Sequence, residues 1–370
     1  MDASRQLEAY AKYIQHHFET ARYWEYEKKL GSGSYGMAVL LKQKGTFGGL
    51  LARQRMAVKF ALPLGVRELQ EELKWLKRLG GARHIVRMLA SCDDLAKAVD
   101  NRKQRSSNFA RRVLARFQRL GGVPPKTAFD SLAGLQGPAV ALEYLENGDL
   151  YSLTKKLENR KRDVPNRILW SVFLCLVRAC IGMAYPIGRP EGTPSILETI
   201  PTDGTQPLNI VHRDIAARNI MVGPGEELKE HHIGHLFKLI DFGAAREDVE
   251  GGRGPPSNLF DIGEAMALLI GRGQITGGAR VIDGHRTRAA PLMLRTNGTD
   301  PYPFFDMELR ELIARCMRSN VYQRPSLQEA LNITRNAVLT KTPSSFPKPS
   351  RETDAAISGF LQEFIYDADP

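Results

Sequence analysis

Apolar residues recur every three or four positions at Leu7, Tyr10, Ile14 and Phe18, and that period predicts a helix over residues 4–22. From residue 24 to 62 glycines break the pattern into short apolar runs. These predict strands at Trp24–Leu30, Met37–Lys42 and Arg55–Ala61, with turns at 31–36 and around Gly45, Gly48 and Gly49. The helical period returns at Val66, Leu69, Leu73, Leu76 and Leu79, and two further strands are expected at Ile85–Ser91 and Ala139–Tyr144. Beyond residue 148 helices dominate, at 149–159, 166–185, 257–271, 306–318 and 326–338. Pro, Gly and Thr make 188–207 an expected exposed loop, and 341–350 reads as a linker by composition. Ile357, Phe360, Leu361 and Phe364 then place a docking helix at the end of the chain. No internal repeat is present. The order predicts an α+β, bilobal molecule with a cleft near residue 145. Its parts would be a helical extension (1–23), a small β-rich lobe with one long helix (24–145), a larger, mainly helical lobe (146–340) and a linker with a terminal helix (341–370).

Composition narrows the class. With 42% hydrophobic and 25% charged residues the chain is not disordered, collagen-like or coiled coil. Cys92, Cys175, Cys180 and Cys316 lie far apart without a CxxC pair, which argues against a disulfide framework or structural zinc and fits a reducing compartment. The polar start, with Asp2, predicts neither a secretory signal nor myristoylation. The most apolar run, Ile168–Val177, stops at Arg178, short of the ~20 residues a bilayer needs. The expectation is an intracellular protein, cytoplasmic or nuclear, with no membrane span. The net charge is +11, and residues 95–135 alone hold nine basic side chains against two acids. That insert reads as a solvated helix face. Its second reading is a dock, at 97–126, for an acidic partner or nucleic acid.

Gly31-Ser32-Gly33-Ser34-Tyr35-Gly36 is a G-x-G-x-x-G run followed by a strand-like segment, Met37–Leu41. A dinucleotide fold would open a helix there; this order predicts a β-hairpin lid whose backbone N–H groups cover phosphates. Lys59, in Ala57-Val58-Lys59-Phe60, is flanked by apolar residues on a strand and needs an acid if it points inward. The helix at 66–79 offers Glu68, Glu71 and Glu72, with Glu72 preferred from its spacing to Leu76 and Leu79. Val211-His212-Arg213-Asp214-Ile215-Ala216-Ala217-Arg218-Asn219 sets an Asp and an Asn five residues apart in a loop, and Lys238-Leu239-Ile240-Asp241-Phe242-Gly243 follows. Three such acceptors can hold Mg²⁺, which keeps several waters and needs few carboxylates, and can take a proton from a hydroxyl.

The run GSGSYG, AVK, HRDIAARN, DFG, in that order, resembles the eukaryotic-type protein kinases over roughly residues 24–338. The resemblance implies a bilobal protein-kinase-like fold and ATP- and Mg²⁺-dependent transfer of the γ-phosphate to a protein hydroxyl, Ser/Thr or Tyr undecided. A nucleotide-binding pseudokinase scaffold and a small-molecule kinase are the alternatives. It also implies roles. Gly31, Gly33, Gly36 and Ala57 would surround the nucleotide, and Lys59, paired with Glu72, would contact its α- and β-phosphates. Leu142-Glu143-Tyr144-Leu145 resembles the hinge: Glu143 and Leu145 would offer backbone groups to adenine, Leu142 would back the pocket, and Asp149 would reach the ribose. Asp214 would position the acceptor hydroxyl and take its proton, while Asn219 and Asp241 would hold the metal. Arg218 would replace the lysine that serine/threonine kinases carry where this chain has Ala216, as in tyrosine-kinase loops.

The chain also departs from the family. Fourteen residues, 244–257, separate Gly243 from Asn258, and no A-P-E motif lies among them. Divergence and a missing exon explain this equally well. Arg324, which resembles the arginine that pairs with the absent Glu, needs another acceptor. Asn258 stands where the family has Asp and would accept backbone N–H bonds more weakly. Arg213 is expected to pair with Glu247, Asp248 or Glu250, or with nothing, and activity is expected without loop phosphorylation. His231, His232 and His235, within the insert 223–236, read as part of a solvated loop rather than a metal site.

Overall fold

Three strands form where the glycine-punctuated runs lie: β1 (Trp24–Ser32), β2 (Gly36–Gln43) and β3 (Arg55–Ala61). With β4 (Met88–Cys92) and β5 (Ala139–Glu143) they make an antiparallel sheet in the order β1-β2-β3-β5-β4. The computed structural model describes residues 3–33, 36–44, 54–92, 128, 132, 135, 137–225, 230, 234–248, 252–273, 278–293 and 299–366. The basic stretch 97–126, with Glu250, His231 and His232, lies outside them. The chain divides into two compact units: Met1–Gly81, Val86–Tyr144 and Ile187–Ile196 in the first, Ala82–Ile85, Leu145–Pro186 and Leu197–Pro370 in the second.

In the first unit the period of two separates the faces of the sheet. Met56, Val58 and Phe60 of β3 enter a core with Trp24, Val39, Leu41 and Ala141, closed by Ile14 and Phe18 of helix α1 (Ala3–Thr20). The first helix is therefore part of this core. Lys44 fixes its end, donating from Nζ to the carbonyls of Glu19 (3.0 Å) and Ala21 (2.8 Å), which the helix leaves unpaired. The opposite face carries Ala38, Leu40, Ala57, Lys59, Val140 and Leu142, which are cross-strand partners. Helix α2 (Val66–Arg78) buries Leu69, Leu73 and Leu76, and Glu72 with them. The fourth strand starts at Met88, later than expected, because Ile85 makes a separate bridge to Leu239 in the second unit.

The loop expected to be exposed at 188–207 is anchored along its first half. Arg189 N–H donates to Gly80 O, Ile196 N–H to Gly81 O and Gly192 N–H to Met88 O, at 2.8, 2.8 and 2.9 Å. A Cβ on Gly80 would lie 2.3 Å from the Arg189 carbonyl oxygen, so only glycine admits that approach.

The second unit is built on α4 (Asn166–Ala184), preceded by α3 (Leu150–Arg160). Against α4 pack α5 (Gly254–Ile270) and α8 (Leu327–Thr340), while α6 (Ala290–Met293) and α7 (Met307–Cys316) complete the helical layer. Among the described helices α4 alone is long and apolar enough to cross a membrane, yet 94% of its apolar window is buried in the protein, as in a core helix. Arg178 does not end the apolar stretch as expected. It is buried and forked onto Glu230 at 2.7 Å, and Arg335 closes on the same carboxylate. Paired in this way, the charge is tolerated inside the core.

Residues 341–350 are not a free linker. Lys341 pairs with Asp306 (2.9 Å) and Glu308 (2.8 Å), and Lys348 lies 3.7 Å from the centre of the Phe304 ring. Glu352, at 2% exposure, accepts the backbone N–H groups of Asn166 (2.9 Å) and Arg167 (3.1 Å) and caps α4 from 186 residues away. Helix α9 (Asp354–Leu361) and the wider turn Gln362–Tyr366 then bury Ile357, Phe360 and Phe364, with Arg160 and Arg162 over the Phe364 ring.

Candidate active site

In the first unit the glycine run is a hairpin, as the following strand predicts. Gly31 pairs with Ala38, and Gly33 N–H donates to Gly36 O at 2.9 Å. A Cβ on Gly36 would stand 2.7 Å from the Phe60 carbonyl oxygen, so the approach of β3 demands glycine there. Gly31 and Gly33 face open space within 4 Å. Among the described residues no packing contact requires glycine at these two positions. Lys59 and Ala57 sit on the less buried face of β3. Of the three acids α2 offers, Glu72 meets Lys59, with Nζ and Oε2 2.5 Å apart. Glu143 spends its side chain on Arg87, accepting the Arg87 N–H at 2.7 Å, and its own N–H donates to Arg87 O at 3.0 Å.

In the second unit the HRDIAARN segment is a loop between β6 (Ile210–Val211) and β7 (Ile220–Gly225), and β8 (His235–Leu239) returns beside β7 to deliver Asp241. His212 organises it. Nδ1 accepts the Asp214 N–H (3.3 Å), so Nε2 carries the proton and donates to Ile240 O (3.1 Å). Burial holds this ring neutral, down to about 4, against that carbonyl and the charges of Asp241 and Asp214. Phe242 meets the same ring edge-on at 4.6 Å. Asp214 is clasped from both sides: Asn219 Nδ2 donates to Oδ2 at 2.8 Å and the Arg218 guanidinium pairs with Oδ1. Asn219 is tied toward Asp241 by its own carbonyl, which accepts the Ile240 N–H at 3.0 Å. Arg213 and Asp241 both hold left-handed backbone, φ 67° and 62°, a conformation non-glycine residues keep only where the surroundings enforce it.

These residues suit a hard cation. Both hydrogen bonds of the Asn219 side-chain amide use Nδ2, so Oδ1 stays available as an acceptor, and Asp241 follows β8, the strand paired with β7. An amide oxygen and a carboxylate oxygen are the ligand types Mg²⁺ takes while keeping its waters. Leu145 is nearly buried, and neither of its backbone groups is hydrogen-bonded among the described residues. Asp149 has a structural use that the sequence reading did not assign. It caps α3, with Oδ1 accepting Ser152 N–H at 2.6 Å. His235 is buried in β8, not in a solvated loop, and its Nδ1–H donates to Gly223 O at 2.8 Å.

No family model matches the chain. Over 121 residues it is 26% identical to the G2-specific protein kinase nim-1 of Neurospora crassa, a match covering 32% of this chain and 13% of that protein. This partial likeness points toward the protein kinases and no further.

The departures from the kinase pattern have physical answers in the second unit. Asn258 Oδ1 accepts His212 N–H (3.0 Å), and its Nδ2, which an Asp would lack, donates to Ile210 O (2.8 Å). Asn258→Ala strands both groups in a site 1% exposed, and should cost ~2–3 kcal/mol, read as a lowered urea midpoint at unchanged slope. Arg324 finds carbonyls instead of a glutamate: those of Pro256 and Arg318, both at 2.9 Å, with Phe260 beneath its guanidinium. The described residues on either side of 249–251 are held close to the strand before the catalytic loop. β9 (Arg246–Glu247) pairs with β6, and Gly254 lies so close to Asn209 that a Cβ would clash at 2.5 Å. Arg213 is exposed and forms no ion pair among the described residues.

Two features escaped the sequence reading. Asp261, one turn past Asn258, is raised to about 6 by burial and by Glu264, against Arg324. The second is a fully buried pair. His84 Nδ1 meets Glu198 Oε2 at 2.7 Å, and the His84 N–H donates to Glu198 Oε1 at 2.7 Å. Burial opposes the imidazolium, but Glu198 and Cys175 outweigh it and hold His84 up at about 9. No pattern flags a histidine and a glutamate 114 residues apart.

Proposed function

We propose that the chain is an ATP- and Mg²⁺-dependent phosphotransferase acting on protein hydroxyls. The observation that carries this reading is the Asp214 carboxylate, clasped by Asn219 and Arg218 on a loop whose geometry His212 sets. In the reaction Asp214 takes the proton of the acceptor hydroxyl as its oxygen bonds to the γ-phosphorus and the bond to the β–γ bridging oxygen breaks. Lys59, oriented by Glu72, holds the α- and β-phosphates, and the Gly31–Gly36 hairpin covers them. Arg218 offsets charge on the transferred group. Asn219 and Asp241 would hold Mg²⁺, which supplies electrostatic stabilisation to the phosphates. Positioning and charge neutralisation are what phosphoryl transfer asks of a protein, since its transition state is loose. The presence of Lys59, Asp214, Asn219 and Asp241 together favours this over a non-catalytic scaffold.

The test is label transfer from γ-labelled ATP with Mg²⁺, onto the chain itself and onto mixed protein acceptors, for wild type and Lys59→Met. Labelled phosphoester is expected with wild type and not with the variant. Equal label from both would end the proposal.

A further inference from the structure

The second unit holds a cavity of about 720 Å³ between α5, the end of α7 and the hairpin β10 (Arg280–Ile282)–β11 (His285–Thr287). That volume lies in the ~300–1,000 Å³ range of ligand sites. Leu268 and Met317 contribute apolar wall, and Arg286, Arg288, Ser319 and one acid, Glu264, contribute polar groups. Arg286 and Arg288 are exposed, and neither forms an ion pair among the described residues, though the Arg288 guanidinium also lies 5.7 Å from the centre of the Phe260 ring. They flank Thr287, which is 2% exposed and donates its hydroxyl to Ala314 O at 2.8 Å. Alternation along the strand therefore turns both arginines away from the core together. The hairpin is held as well: Ser319 N–H donates to Arg286 O (2.8 Å) and Arg288 N–H to Met317 O (3.2 Å). The site is thus preformed, carries two guanidiniums against one carboxylate, and has an aliphatic wall beside them.

We propose that this cavity binds an acidic segment of the protein substrate, with an aliphatic side chain against Leu268 and Met317 and neighbouring carboxylates on Arg286 and Arg288. Guanidinium–carboxylate pairs are the forked, charge-assisted bonds that give such recognition direction. The assignment rests on the kinase reading and names its substrate class. Helix α5 connects the two sites: Asn258 holds the catalytic loop through His212, Glu264 follows Asp261 by about one turn, and Leu268 by about one more.

The experiment is fluorescence anisotropy on the full chain without nucleotide. The probes are labelled peptides of Glu-Glu-Leu-Glu repeats and their Gln-for-Glu and Lys-for-Glu counterparts. Wild type and Asp214→Ala should bind the Glu peptide at least about 10-fold more tightly than the Gln peptide, and added salt should weaken that binding. The double variant Arg286→Glu, Arg288→Glu should lose the preference and favour the Lys peptide, with at most a small fall in melting temperature from the loss of the Arg288 guanidinium over the Phe260 ring. Equal Glu-peptide binding by wild type and the double variant would overturn the proposal. So would full displacement of the peptide by millimolar inorganic phosphate, which would mark a free-phosphate site. Binding is read without transfer, so failure of the phosphotransferase reading would show in the label assay while leaving this result standing.

Discussion

Asp214→Ala is expected to slow phosphotransfer by about 10²- to 10⁴-fold, the range that removing a general base gives. Nucleotide affinity should stay within about twofold, because Asp214 is assigned to the acceptor hydroxyl and not to ATP. The loop should survive the substitution. Asn219 Nδ2 keeps its second acceptor, the Asp214 backbone carbonyl at 2.9 Å, and His212 keeps its bonds to Ile240 O and to the residue-214 amide. The measurements are initial rates of label transfer and titration with a fluorescent ATP analogue. Unchanged turnover, or turnover lost only in step with ATP affinity, would remove Asp214 from its assigned place.

Glu198→Gln is expected to be the most destabilising single change in the second unit. It leaves His84, at 0% exposure, without the carboxylate that offsets its charge. Breaking a buried pair by removing one partner costs about 3–5 kcal/mol. The pH dependence carries a sign. The His84 pKa is raised from 6.5 to about 9, so the stability it contributes is complete below 6.5 and is lost as pH rises through 9. His212 runs the other way. Its pKa is lowered from 6.5 to about 4, so its contribution is present above 6.5 and lost as pH falls through 4. Urea midpoints of the wild type should therefore decline on both sides of about 6.5, and Glu198→Gln should flatten the alkaline side. Parallel alkaline slopes in the two proteins would refute the assignment.

What could be read in advance was local. The period of two on β3 set Lys59 opposite Met56, Val58 and Phe60, and the spacing of Glu72 to Leu76 and Leu79 put it on the inward side of α2. The acceptor role of Asn258 followed from its amide. What could not be read depends on distant partners. Arg178 interrupts an apolar run on paper and is absorbed by Glu230 in the fold. Residues 188–198 have a loop's composition, yet the carbonyls of Gly80 and Gly81 and the His84 ring hold them in place. Arg324 takes two backbone carbonyls as its partners, a pairing no motif encodes. The Pro/Ser stretch at 341–350 satisfies a rule about linkers, but Lys341, Lys348 and Glu352 each meet a partner that composition cannot supply.

Glu352 has a practical consequence for expression boundaries. A fragment trimmed at Thr340, where the recognisable motifs end, would discard the carboxylate that accepts the first two amides of α4. It would also uncover the apolar bed of Phe360 and Phe364. Shortened versions of this protein should retain the chain through Tyr366, or the longest helix of the second unit begins with bare donors in a dry environment.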